Sequence, residues 1–222
     1  MEKGKIIVIE GACDGIGKST QFSKLINHLQ EDNIELINHH FPSYGESQAV
    51  GVEEYLEGKY GSLNELSPYF VTSLYANDRI ITWEKNLKQE YETGKTILFD
   101  RYTTSSLIYQ SALIDDLEEK KKFINWVIDY EYNKLGLQEP DDVIFLTAPF
   151  ELVTKMRTKR NQNDGIDNDI HESNLEFMKK VYDNANFIAD YLSWNKVNCE
   201  ENNALRSIDD IHNEIYKLVR KK

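Results

Sequence analysis

The sequence predicts an α/β fold of three layers, a five-stranded parallel sheet flanked by helices on both faces. Three observations predict it. Short apolar runs alternate with long amphipathic stretches along the whole chain, the pattern of strands joined by crossover helices. The runs are apolar throughout rather than alternating, as "KIIVIE" (5–10) shows, which suits strands buried on both faces. The first run leads into "GACDGIGKST" (11–20), a glycine-rich turn followed by a helical pattern, the context of a phosphate-binding loop.

The elements follow in order. Residues 5–10 read as the first strand and 18–31 as a helix, with Phe22, Leu25, Ile26 and Leu29 at helical spacing. "IELINHHF" (34–41) reads as a second strand and 48–57 as a short helix. Residues 68–92 carry one long helical pattern that stops at Gly94. "KTILFD" (95–100) is a third strand, followed by helices at 103–113 and 117–135, the latter stopping at Gly136. "DDVIFLTA" (141–148) is the fourth strand. Helices at 150–159 and 172–192, a weak fifth strand "NKVNCE" (195–200) and a closing helix at 207–221 complete the chain. No repeat and no Pro/Gly/Ser-rich linker divides it, so 1–222 reads as one domain. The polar stretch "KRNQNDGIDND" (159–169) is the exception, and about 157–170 is expected to be a mobile lid.

Composition narrows the function classes. Hydrophobic residues make up 40% of 222, enough for a sizeable core, and 29% are charged, which solvates the surface. No apolar run is long enough to span a membrane. "MEKGKIIVIE" has no signal-peptide pattern, so a cytoplasmic location is expected. Cys13 and Cys199 make no disulfide framework and no zinc spacing, and adjacent His39 and His40 read as a strand end rather than a metal site. The formal net charge of −12 argues against a nucleic-acid surface. Any phosphate must be held by a local positive cluster, which favours a small-molecule site.

The loop departs from the usual spacing, Gly-x-x-x-x-Gly-Lys-Ser/Thr. One residue more separates Gly11 from Gly17. Either the loop bulges near Ala12 or Cys13, or Ala12 takes the first-glycine position and the strand shifts by one. The strand is apolar throughout 6–9 and does not decide between them. Both place the change upstream of "GIGKST", so Gly15, Ile16, Gly17, Lys18, Ser19 and Thr20 are expected to cradle the ATP phosphates with backbone N–H groups and a helix N-terminus. Lys18 would reach the β- and γ-phosphates, and Ser19 would ligate Mg²⁺. Cys13 would lie near that helix N-terminus, where a thiol's pKa falls.

Four stretches together resemble the thymidylate kinase family of P-loop nucleoside monophosphate kinases. "EGACDGIGKSTQ" resembles its phosphate loop, "FPSYGES" (41–47) its segment after the second strand, "LYANDR" (74–79) its Phe-Ala-Ala-x-Arg helix motif, and "DRYTTSSLIYQ" (100–110) its Asp-Arg-Tyr/His motif. The resemblance covers nearly the whole chain. It implies the P-loop NTPase-type fold, transfer of the γ-phosphate of ATP to dTMP, Mg²⁺ as cofactor, and a homodimer formed through helices flanking the sheet. It further implies that Arg101 grips the acceptor phosphate, Arg79 hydrogen-bonds the thymine edge, and Tyr75 stacks on the base. Tyr44, Ser105, Ser106, Tyr109 and Gln110 would complete the acceptor site. Asp100 would position Mg²⁺ through water, and Asp14 would lie near the acceptor 3′-hydroxyl and the metal.

Two departures from the family pattern stand out. Ser43 occupies the place where the family often has an arginine beside the acceptor phosphate. The phosphate loop has Gly15 and Ile16 where some members carry a transfer-stabilising arginine. Arg157, Lys159 and Arg160 at the start of the polar stretch therefore read as the lid cations, with Arg157 and Arg160 the candidates that stabilise the transferring phosphoryl group. The acceptor phosphate, with a second pKa of about 6, is mostly a dianion at neutral pH and needs no base. The rivals are a kinase for another monophosphate or for a deoxynucleoside, and a non-catalytic nucleotide-binding relative. A nucleoside acceptor needs a carboxylate base near the end of the second strand, where only Glu46 is available and too far along.

Overall fold

The computed structural model describes residues 3–13, 15–63, 65–164 and 175–220, with side chains throughout these segments except over 159–164. Its centre is a five-stranded sheet of β1 (Ile6–Gly11), β2 (Leu36–His40), β3 (Thr96–Asp100), β4 (Asp142–Thr147) and β5 (Asn195–Asn198). The order is β2-β3-β1-β4-β5 and every pairing is parallel. The predicted fold class is what forms. The central strands are buried along their lengths, β1 at every position, whereas β2 at the edge alternates between half-buried and exposed.

Period-two alternation sorts β1 between two layers. Ile7 and Ile9 pack with Phe22, Leu25 and Leu29 of α1 (Lys18–Glu31) and with Ile211, Ile215 and Val219 of α9 (Ile208–Arg220). Ile6 and Val8 face the other way, onto Phe41, Trp83, Phe99 and Tyr102. Glu10 continues that second set. The same layer holds α2 (Val50–Leu56), α3 (Pro68–Thr82), α4 (Lys88–Glu92), α5 (Thr103–Tyr109), α6 (Leu117–Ile128) and, across the cleft, α8 (Leu175–Tyr191). Register brings the C-terminal strand ends together: Ile9 is opposite Asp100, and Asp100 is opposite His40.

The long helical pattern at 68–92 is continuous but not uniform. α3 passes through a π-helical turn, Trp83–Leu87, into α4. A second π-helical turn, Asp129–Lys134, closes the predicted 117–135 helix. α7 (Phe150–Asp164) runs five residues past the predicted end at 159, so the first half of the expected mobile stretch is helical. β5 ends at Asn198, two residues short of the predicted 195–200 strand, and Glu200 instead belongs to a small hairpin of β6 (Glu200–Glu201) against β7 (Ala204–Leu205). Among the described residues no helix is long and apolar enough to cross a membrane.

The α1–α9 contact contains a histidine pair. His28 Nδ1 lies 2.8 Å from His212 Nε2, and the His28 ring stacks on Tyr216 at 3.8 Å. His212 is 4% exposed, and burial, with the nearby His28 and Lys24, lowers its pKa against the opposing pull of Asp209. Burial also lowers that of His39. A histidine depressed in the folded state binds its proton more readily unfolded, so its contribution is complete above about pH 6.5 and shrinks below it. The thermal midpoint is therefore expected to fall between pH 7 and pH 5. His212→Gln should flatten that dependence, and an unchanged pH profile would contradict the assignment.

Candidate active site

The phosphate loop spans the end of β1 and the start of α1. β1 keeps its register through Gly11, opposite Leu146, and the Ala12 N–H still donates to the Leu146 carbonyl at 3.0 Å. A Cβ built on Gly11 would lie 3.1 Å from the Ile16 side chain. The returning loop therefore folds over Gly11, which keeps the first-glycine position. The strand register holds through Gly11, and Asp14 lies outside the described residues. Gly15 (φ 95°) and Gly17 (φ 91°) both adopt left-handed backbone that glycine accepts without cost. At Gly15 space is also decisive, because a Cβ there would lie 3.0 Å from Arg157 Cβ and 3.1 Å from Arg157 N.

Gly17 caps α1 without any side-chain hydrogen bond, and no acidic residue lies in the first turn. The first N–H groups of α1 are thus left for an anion. Ser19 and Thr20 are exposed there, while Ile16 is 2% exposed and anchors the loop in the core. Lys18 is buried and its Nζ pairs with Asp100 Oδ1. Asp100 Oδ2 is held by His40 Nδ1 at 3.2 Å. Burial opposes ionisation of Asp100, but the His40 hydrogen bond and the charges of Lys18 and Arg101 outweigh it and hold the carboxyl well below the usual carboxylate range.

An open cleft lies beside Arg101, one residue past the Lys18 partner Asp100. It is lined by Phe41, Pro42, Tyr44, Leu56, Met178 and eight residues of the α3 and α5 region, among them Tyr75, Arg79, Arg101 and Tyr109. Arg101 follows β3 with a left-handed backbone, φ 66°, an uncommon state for a residue with a side chain. Its Cζ lies 5.5 Å from the Tyr109 ring centroid, and Nη1 lies 3.5 Å from Ser105 Oγ. Tyr75 meets Tyr55 edge to face at 6.2 Å. Tyr44 is 56% exposed at the mouth, beside the His40 ring.

Two buried acids hold the arginines. Glu131 is fully buried and receives Arg79 Nε at 2.6 Å and Nη2 at 2.7 Å, with Thr103 Oγ1 at 2.9 Å. Arg79 Nη2 also reaches Ser106 Oγ at 2.7 Å, and Nη1 reaches the Tyr102 carbonyl at 3.4 Å. Burial lowers the Arg79 pKa, but the Glu131 charge and hydrogen bonds more than offset this and raise it. Removing one partner of such a pair leaves the other charged and buried, so Glu131→Ala should cost about 3–5 kcal/mol of stability. Urea unfolding measures it, and a loss below about 1 kcal/mol, the value of an exposed pair, would contradict it. Glu10, also fully buried, lies 3.6 Å from Arg101 Nη1.

The family model for thymidylate kinase matches residues 9–215. The chain belongs to the thymidylate kinase family. It is 33% identical over 218 residues to a probable thymidylate kinase of Thermococcus onnurineus, with 96% of each chain covered. It is 29% identical over 222 residues to thymidylate kinase of Plasmodium falciparum, covering 99% of this chain and 91% of the relative. The solved structure of thymidylate kinase from Candida albicans shares the fold, with a TM-score of 0.74 and 23% identity over 98% of this chain and 91% of that one. The chain is an ATP-dependent nucleoside monophosphate kinase, and phosphorylation of dTMP is its reaction.

For a thymidylate kinase the arrangement is compact. Every acceptor candidate, Tyr44, Tyr75, Arg79, Arg101, Ser105, Ser106, Tyr109 and Gln110, lines the one cleft. Ser43 does not reach into it. Its N–H donates to Asp78 Oδ2 at 2.8 Å, and its hydroxyl sits between His39 Nε2 and Thr82 Oγ1. Asp78, Glu10 and Glu131 are charged residues that the sequence did not single out, and His40, read only as a strand end, holds Asp100. Arg157 is half-buried and its backbone abuts Gly15, whereas the side chains of Lys159 and Arg160 lie outside the description. Among the described residues no group of three or more His, Cys, Asp or Glu could cage a metal. The donor set present nevertheless fits Mg²⁺, which keeps waters and substrate phosphates and takes only one or two protein oxygens. The Ser19 hydroxyl and the ionised Asp100 are such oxygens.

Proposed function

We propose that dTMP occupies the cleft with its phosphate against Arg101, and that ATP lies along the phosphate loop with its γ-phosphate facing that arginine. The observation that carries this reading is the placement of Arg101 itself. It stands one residue beyond Asp100, which is bonded to Lys18, and it also lines the cleft. A planar guanidinium there can grip a phosphate dianion bidentately. Tyr75 would stack on the base and Tyr109 would close over the sugar. Of the five N–H groups of Arg79, four are bonded within the protein. One Nη1 hydrogen remains for the thymine edge, so Arg79 would read the base with a single bond from a rigid mount.

On ATP binding Lys18 would leave Asp100 for the β- and γ-phosphates, and His40 would keep the carboxylate in place. Mg²⁺, held by Ser19 and, through water, by Asp100 and Asp14, would neutralise charge on the transferring phosphoryl group. Arg157, with Arg160, would add positive charge as the lid closes over the phosphates and excludes water. The acceptor is already a nucleophile, so the protein's part is alignment and neutralisation. We further place the enzyme in the cytoplasm as a homodimer without nucleic-acid partners. Exposed Tyr69 and Phe70 at the start of α3 offer apolar surface for the dimer. Chromatography of a reaction with ATP, Mg²⁺ and dTMP should show dTDP accumulating with ADP. ATP consumption without dTDP would contradict the reading.

A further inference from the structure

We infer that Glu10 is a positioning residue that sets Arg101 for the acceptor phosphate, which rests on the assignment of Arg101 to that phosphate. Glu10 is the last side chain of β1 on the face that carries Ile6 and Val8, and it is 0% exposed. A carboxylate in that position is costly unless each oxygen is matched. Here both are. Oε1 accepts from the Gly11 N–H at 3.0 Å and lies 3.6 Å from Arg101 Nη1. Oε2 accepts from Thr104 Oγ1 at 2.8 Å and from Ser105 Oγ at 2.7 Å. One carboxylate therefore joins the end of β1, the first turn of α5 and the guanidinium between them.

The guanidinium needs such a mount. Arg101 has a left-handed backbone at the end of β3, and a long side chain has many rotamers to lose on binding. With Glu10 behind it and the Tyr109 ring 5.5 Å from its Cζ, the fork is held in the cleft before a ligand arrives. The Glu10 charge also has an opposing effect, since it lowers the net positive charge offered to a phosphate. If orientation outweighs charge, neutralising Glu10 weakens dTMP binding. If charge outweighs orientation, the same change tightens it. The sign of one measurement separates the two.

Calorimetry on the full chain gives Kd for dTMP and for ATP separately. Glu10→Gln should raise Kd for dTMP about fivefold, the scale of an ion pair worth about 1 kcal/mol. Kd for ATP should stay within about twofold, because among the described residues the polar contacts of Glu10 are to Gly11, Arg101, Thr104 and Ser105 and none is to residues 15–20. In an Arg101→Ala background the Glu10→Gln effect on dTMP should disappear. Thr104→Val removes one donor to Glu10 at a buried position outside the cleft lining. It should reproduce the pattern at about twofold and stands in if Glu10→Gln does not fold. Tighter dTMP binding in Glu10→Gln, or an effect that persists undiminished without Arg101, would overturn the inference alone. An unchanged dTMP Kd in Arg101→Ala would instead overturn the acceptor assignment beneath it.

Discussion

Lys18→Ala is expected to lower kcat by about 10²-fold or more, with saturating ATP and dTMP. The residue opens α1 at an uncapped helix N-terminus, where backbone N–H groups can bind phosphate but carry no full charge. In the proposed mechanism Lys18 supplies that charge where it develops, on the oxygens of the transferring phosphoryl group. The fold should survive. Alanine is favourable at the start of a helix, and Asp100 keeps His40 at 3.2 Å after Lys18 is gone. Thermal unfolding alongside the kinetics separates a catalytic loss from a folded-state loss. Near-normal turnover would remove Lys18 from the mechanism.

Arg101→Ala is expected to lower kcat/KM for dTMP by about 10²-fold or more, mostly through KM. The backbone strain at φ 66° is common to arginine and alanine, so the difference reports the guanidinium. Arg101→Lys is the informative companion. It keeps a positive charge but loses the fork, so it should recover only part of the loss. Full recovery by lysine would mean that charge alone matters there, and that the bidentate grip, and with it the positioning by Glu10, is not needed. An unchanged KM in Arg101→Ala would place the acceptor phosphate elsewhere.

The strands and the phosphate loop were legible because their signals are local. Unbroken apolar runs mark buried parallel strands, and "GIGKST" between a strand and a helix states its own geometry. The residues proposed for the acceptor were named through the resemblance, and all of them line one cleft. What was hidden depends on partners distant in sequence. Glu131 lies in "DYEYN", which reads as a solvated helix face, yet its partner Arg79 is 52 residues away. Glu10 and Ser105 are 95 residues apart. Period two along β1 was the available signal for Glu10, since it shares the buried face of Ile6 and Val8. The location of the extra loop residue could not be read from an apolar strand. The structure shows only that β1 stays in register through Gly11, with Ala12 still bonded to Leu146. The extension of α7 to Asp164 was missed because a polar, Asn-rich stretch has weak periodicity, although its residues tolerate a helix.

Ser43 illustrates a different limit. The sequence shows that an arginine of the family pattern is missing. Only the structure shows that its hydroxyl is tied to His39 and Thr82 and its N–H to Asp78, and that it does not line the cleft. In the proposed binding mode the acceptor phosphate then depends all the more on Arg101.

The most direct test is the initial rate of ADP formation with ATP, Mg²⁺ and each nucleoside monophosphate in turn. The account predicts turnover with dTMP well above the other acceptors and little ATP hydrolysis without one. Equal rates across acceptors, or ATP bound but never transferred, would contradict it.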